Sequence, residues 1–312
     1  MRRKLLILLG STLVTFLGIG VYFSNRIMYM RKKKDDFIRN REISAKRLVE
    51  DDYDALPKAE HWVNSPSGYK LKCLFVEPNK SNKWIIICHG VTENKINSIK
   101  YMNLFLKRGF NAVIYDHRRH GESGGRTSSY GYYEKLDLKA VVDELKRLKG
   151  TDILLGIHGE SMGAATLLLY AGSIEDGADF YIADCPFSDF EQQIIHQLKR
   201  ELPLPPKMIL PIGDAFLKWR DGYRAREVSP IRHIKNIKNP VLFIHSEPDE
   251  FIPAEMTKEL FREKEGPKQI YLPSIGAHAQ SYNENAGEYE NVIDRFLTEL
   301  VYPKAHKKAK AQ

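Results

Sequence analysis

Ser161 stands at the centre of Gly159-Glu160-Ser161-Met162-Gly163, between an apolar run at residues 153–157 and a helix-like run at 164–170. Strand, tight turn and helix in that order force the serine backbone into strain and admit only small residues two positions to either side. A hydroxyl so presented can attack an acyl carbon if a base takes its proton and a carboxylate holds that base in the right tautomer. Both partners have candidates downstream. Asp249 follows the buried-strand pattern at 240–245, and His278 follows the strand at 268–273. Asp184, near the end of the strand at 180–185, is the rival acid. Asp249 is preferred because it sits one strand before the His278 loop, giving the chain order Ser161, Asp249, His278.

Acyl transfer also needs N–H groups aimed at the developing oxyanion. Met162, the residue after the nucleophile, supplies one. Val91 supplies the other, in the exit of the strand at 84–88, where Gly90 lets the backbone approach closely. This chemistry requires no metal and no organic cofactor. Cys73, Cys88 and Cys185 show no zinc-type spacing and read as buried structural thiols. His158 reads as a hydrogen-bonded core histidine, and His89 and His245 as supporting residues at most. Glu160 bears either on specificity or only on the turn.

These pieces resemble the α/β-hydrolase superfamily of serine hydrolases, and most of all its bacterial branch related to monoacylglycerol lipases and serine aminopeptidases. The resemblance rests on His89-Gly90, Asp116-His117-Arg118-Arg119-His120-Gly121-Glu122-Ser123, Gly159 to Gly163, Asp249-Glu250-Phe251-Ile252-Pro253 and His278. It covers roughly residues 60 to 302. Ser246 is a departure, since the family often carries glycine there. The resemblance implies that Asp116 and Gly121 shape a turn rather than bind metal, and that a cap is inserted after the strand ending at Cys185.

The elements that must position these residues alternate. Strands are expected at 69–77, 84–88, 111–116, 153–158, 180–185, 240–245 and 268–273. Helices are expected at 96–108, 134–149, 162–171, 254–264 and 289–301. That rhythm predicts an α/β fold, a mostly parallel sheet with helices on both faces. The strand at 69–77 alternates in polarity and is expected antiparallel at one edge. Residues 190–226 break the rhythm with apolar positions and several prolines, as a helical cap able to close over an acyl chain would.

The chain has 312 residues, 43% of them hydrophobic, and a net charge of +8 placed mostly near its ends. Arg2, Arg3 and Lys4 precede an uncharged apolar stretch at 5–23, and Arg31-Lys32-Lys33-Lys34 follows it. The stretch is long enough to cross a hydrocarbon core of roughly 30 Å. Lacking a lipoprotein cysteine and a good small-x-small site, it reads as an uncleaved anchor. The basic start argues for an inside N-terminus, the heavier second cluster for the reverse. Family analogy favours an extracytoplasmic enzyme. Such basic runs suit an anionic membrane surface better than nucleic acid.

The expected organisation is an anchor at 1–30, a charged stalk or linker at 31–58, a hydrolase domain at 59–302 with its cap, and a basic tail at 303–312. The expected activity is serine hydrolysis of small-molecule or lipid-like carboxylic esters through an acyl-enzyme. The alternatives are a peptidase or thioesterase using the same triad, or a membrane-tethered binding protein that kept the fold.

Overall fold

The computed structural model describes residues 2–201 and 205–305, with the side chains of 5–8 and 12 outside the description. Cap residues Leu202, Pro203 and Leu204, and Lys307, Lys308 and Lys310 of the basic tail, therefore lie outside the described residues.

Three helices come first: α1 (Arg2–Met28), α2 (Asp35–Ser44) and α3 (Glu50–Ala55). Then follow β1 (Lys58–Asn64), β2 (Lys70–Val76), β3 (Lys83–Cys88), α4 (Ile99–Leu106), β4 (Asn111–Tyr115), α5 (Glu134–Lys149), β5 (Leu154–Glu160), α6 (Met162–Ser173) and β6 (Phe180–Asp184). The cap helices are α7 (Phe190–Glu201) and α8 (Pro206–Asp221). The chain closes with β7 (Val241–Ile244), α9 (Ala254–Glu263), β8 (Lys268–Tyr271), α10 (Ser281–Glu284) and α11 (Ala286–Phe296).

The strands form one sheet in the order β1-β2-β4-β3-β5-β6-β7-β8. β2 runs antiparallel to both β1 and β4, and every other pairing is parallel. Alternation along β3 shows how two cores arise. Trp84, Ile86 and Cys88 face a layer holding Leu138 and Val141 of α5 and Leu167 of α6. Ile85 and Ile87 face the opposite layer, with Met102 and Phe105 of α4 and Ile293 and Phe296 of α11. Parallel strands buried on both faces read as near-continuous apolar runs, which is why they were legible.

The expected edge strand is corrected. The strand near 69–77 is antiparallel but second in the sheet, and β1 forms the edge. β1 reads Lys-Ala-Glu-His-Trp-Val-Asn with only Val63 buried, so it carries no apolar alternation. It exists because β2 pairs with it along its whole length, from Lys58 opposite Val76 to Asn64 opposite Lys70.

Residues 31–58 pack against the domain that follows. Ile38 and Leu48 are buried. The buried Glu42 carboxylate accepts from Arg41 and Arg47, both at 2.7 Å. The second half of α1 also packs inward. Phe23, Ile27 and Met28 join a third apolar cluster with Phe187, Ile194 and Leu217, beneath the cap.

Candidate active site

The turn between β5 and α6 carries Ser161 at φ 55° and ψ −115°, a conformation that non-glycine residues rarely adopt. Its flanking glycines are sterically required. A Cβ on Gly159 would overlap the backbone of Gly163, and one on Gly163 would overlap the Cys88 carbonyl at the end of β3. The Ser161 N–H is fixed by donating to the Asp184 carbonyl at 2.8 Å.

Ser161 Oγ lies 2.8 Å from His278 Nε2, and His278 Nδ1 lies 2.6 Å from Asp249 Oδ2. Asp249 Oδ1 accepts the backbone N–H groups of Phe251 at 2.8 Å and Ile252 at 2.9 Å. Burial pushes the Asp249 carboxyl up, but hydrogen bonds from His245 and His278 outweigh it and hold the group below the usual carboxylate range. The carboxylate is therefore ionised at neutral pH and able to orient the His278 ring. The rival acid, Asp184, points elsewhere, accepting from Tyr289 Oη at 3.1 Å. Burial and then the nearby Glu160 charge raise it to about 7.

Val91 and Met162 line one cavity with Ser161. Among the described residues, neither of their N–H groups ends on an internal acceptor. His89 fixes one of them. Its Nε2 accepts the His117 N–H at 2.9 Å, so Nδ1 carries the proton and donates to the Gly90 carbonyl at 2.7 Å. The carbonyl and N–H of a trans peptide point in opposite directions, so anchoring Gly90 O turns the Val91 N–H away from His89. Burial lowers His89 to about 4, which keeps the ring neutral for this role.

Asp116 and Gly121 do shape a turn. Asp116 accepts the N–H groups of Lys95 at 2.8 Å and Glu122 at 3.0 Å, and a Cβ on Gly121 would overlap its carboxyl. Cys73, Cys88 and Cys185 are free and buried. Cys185, Asp249 and His278 form a group of three with ligand-type atoms within 4.8 Å of one another. It is a poor metal site, because Asp249 and His278 are already bonded together and burial pushes the Cys185 thiol well up, away from the thiolate.

The sequence singled out His245 only as a supporting residue and Glu160 only as bearing on specificity or the turn, and it gave no signal of a site role for Lys100, Tyr101, Lys33 or Arg41. His245 Nε2 lies 3.0 Å from Asp249 Oδ2. Lys100 forms a buried ion pair with Glu160 at 3.0 Å, and Glu160 also accepts from Tyr101 Oη at 2.8 Å. Burial pushes the Glu160 carboxyl up, but the Lys100 charge outweighs it and the net shift is downward. From outside the hydrolase domain, Lys33 and Arg41 reach Glu93.

Two cavities meet at Ser161. One, of about 250 Å³, is walled by apolar side chains including Ile19, Phe23, Ile27, Phe187 and Ile194. The other, of about 360 Å³, carries several charged groups in its wall. Lys33, Arg41, Arg47 and Lys100 line it with the carboxylates of Glu93 and Glu160.

Comparison with known proteins agrees with this architecture. Residues 79–219 match the family described as Serine aminopeptidase, S33. The uncharacterized protein YqkD of Bacillus subtilis (strain 168) is 48% identical over 299 residues, covering 96% of this chain and 98% of that protein. Human protein ABHD12B is 25% identical over 232 residues, covering 68% of this chain and 62% of that protein. Among solved structures, the Pyrococcus furiosus esterase Pf2001 superposes with a TM-score of 0.66 at 22% identity, covering 81% of this chain and 96% of that one. The Pyrococcus horikoshii acylaminoacyl peptidase gives 0.60 at 18% identity, covering 80% of this chain and 43% of that one. The chain belongs to the α/β-hydrolase superfamily, in one family with YqkD.

Proposed function

We propose that this chain is a serine hydrolase of carboxylic esters that works through an acyl-enzyme. The observation that carries the reading is the continuous chain from the strained Ser161 through His278 to the ionised Asp249, at 2.8 and 2.6 Å, beside an apolar cavity. His278 Nε2 takes the Ser161 proton as Oγ attacks the ester carbonyl. The Val91 and Met162 N–H groups receive the oxyanion. The imidazolium, held by Asp249, then gives its proton to the leaving alkoxide. Water attacks the acyl-enzyme by the same route, with His278 as base, and releases the acid.

The second cavity favours an ester over an N-terminal peptide. Four cations line it against the carboxylates of Glu93 and Glu160, and Glu42 pairs with Arg41 and Arg47 behind them, so one positive charge is left in excess and a protonated substrate amine gains no counter-ion there. A polyhydroxylated or anionic leaving group suits it better. Residues 190–226 serve as the cap. Helix α1 is long and apolar enough to cross a membrane. It serves as a single uncleaved anchor, and the basic start of the chain supports an inside N-terminus with the catalytic domain outside.

The test is labelling of the full chain in detergent with a fluorophosphonate, which reports an activated serine. Labelling that disappears in Ser161→Ala and weakens strongly in Asp249→Asn is the expected result. A folded parent that takes no label overturns the reading and leaves a binding protein with a hydrolase fold.

A further inference from the structure

Helix α1 divides into two halves with different surroundings. Leu9, Leu13, Val14 and Leu17 are exposed, Leu13 at 58%, whereas Phe23, Ser24, Ile27 and Met28 are buried against the cap. The crossing of α1 with α8 is interlocked. Phe216 of α8 fills the space over Gly20, where a Cβ would overlap its ring, and Phe23 of α1 fills the space over Gly213 in the same way. Arg220 of α8 donates to Ser24 Oγ at 2.6 Å, and Arg26 pairs with Glu201 of α7. This is a packed helix pair, not a tether lying loosely on the domain.

The buried half is also a wall of the apolar cavity. The cavity runs from Ser161 past Ile27 and Phe23 to Ile19 and Tyr22, the turn at which α1 leaves the domain. Around that exit stand side chains suited to a membrane–water boundary. Trp219 is 78% exposed and packs on Phe216, which covers Gly20, and Tyr22 is also exposed. The apolar residues of α1 outside the domain, 5–18, extend about 21 Å at 1.5 Å per residue, and the stems of Arg2, Arg3 and Lys4 bring the helix closer to a hydrocarbon thickness of roughly 30 Å.

We propose that α1 is both the anchor and one wall of the acyl pocket, with the pocket mouth at the bilayer surface, so that the substrate is a membrane-resident long-chain ester whose acyl chain passes along α1 to Ser161. The proposal rests on the serine-esterase reading above. It commits the exposed half of α1 to lipid, because residues 5–18 are uncharged and mostly apolar, Leu9, Leu13, Val14 and Leu17 are exposed, and Arg2, Arg3 and Lys4 precede them. It also makes the anchor a specificity element: residues 19–27 select chain length.

The test uses the full chain in phosphatidylcholine vesicles and two fluorophosphonate probes, one with a short alkyl chain and one with a hexadecyl chain that partitions into the bilayer. The parent labels faster with the long probe. Gly213→Val pushes Phe23 off its seat without touching the catalytic groups. It lowers long-probe labelling at least tenfold and short-probe labelling at most twofold, and adding Phe23→Ala restores the long-probe rate. Tyr22→Glu, at an exposed position that tolerates the change, lowers the long-to-short ratio as well. Equal effects on both probes in Tyr22→Glu, or an unchanged ratio in Gly213→Val, overturn the role of α1 while leaving the esterase reading intact. A parent that reacts with neither probe removes both.

Discussion

Asp249 Oδ2 is shared by two histidines: His245 Nε2 stands 3.0 Å from the same oxygen that holds His278 at 2.6 Å. His245 is fully buried, and its Nε2 also lies 2.9 Å from the Ile252 carbonyl, so that nitrogen carries a proton. Its Nδ1 is braced at 2.6 Å by Thr257 Oγ1 on α9. The second histidine thus fixes the carboxylate and draws off part of its charge.

Removing that donor has two separable consequences. His245→Leu lowers kcat about tenfold, matching the loss of one hydrogen bond to a charged group worth roughly 1.5 kcal/mol. It also leaves more of the Asp249 charge to the His278 imidazolium, which moves the acid limb of the kcat/KM profile to higher pH. His245→Gln keeps an N–H near the Nε2 position and recovers most of the rate. A profile that does not move in the leucine variant would reduce His245 to a packing residue.

Ser161, His278 and Asp249, which the structure brings together, were legible because each follows a parallel strand, and the apolar strands before Ser161 and Asp249 announce themselves. Gly159 and Gly163 were legible for the same steric reason that the structure displays. His245 was legible only as a supporting residue at most, because a histidine at the end of a buried strand has no local pattern that separates a core residue from one bonded to the acid. Lys100 lies on α4, far from Glu160 in sequence, and only the fold brings them together. β1 was illegible because its stability comes from pairing rather than burial. The docking of α1 on the cap escaped notice because a long apolar helix reads as a membrane segment whatever its second half touches; Gly20 and Gly213 acquire meaning only when Phe216 and Phe23 are seen over them.

Gly163 tolerates no side chain. The atom that a Cβ would strike is the Cys88 carbonyl oxygen, part of the β3 ladder, and a strand backbone cannot swing aside as a flexible side chain can. Gly163→Ala is expected to cost about 3 kcal/mol in urea unfolding and to displace the Ser161 turn. Any folded fraction should label poorly. A stable variant with normal labelling would show that the elbow has slack.

The Lys100–Glu160 pair gives a sharper thermodynamic signature. Both side chains are almost fully buried, and Glu160 directly precedes Ser161. Lys100→Met leaves a buried carboxylate without its cation and should cost about 3–5 kcal/mol, as should the loss of the partner in Glu160→Gln. The double variant buries no net charge, so its cost should fall well below the sum of the two. A double-mutant cycle by urea denaturation reads the coupling. Additive single effects would mean that the two groups do not share one low-dielectric site.

Acid sensitivity has a defined direction. Burial holds His89 at about 4, His120 and His158 at about 3, and His117 well below its ordinary 6.5. A histidine depressed in the folded state contributes stability that is complete above the unfolded value of 6.5. That stability is lost as pH falls toward the folded value, because the unfolded chain takes up protons that the folded core refuses. Two buried carboxyls act in the opposite sense. Burial raises Asp184 to about 7 and Asp137 to about 6, so their contribution is complete below 3.8 and is lost as pH rises through 6 to 7. Comparing the parent with one histidine replaced isolates a single term. In His158→Gln, the fall in unfolding free energy between pH 6.5 and 4.5 should be shallower than in the parent by about 1.2 kcal/mol per pH unit on average, somewhat less than the value of one full proton because the unfolded histidine is only half protonated at 6.5. Urea titrations at a series of pH values measure both slopes, and parallel curves would show that His158 binds its proton as readily in the fold as in the open chain.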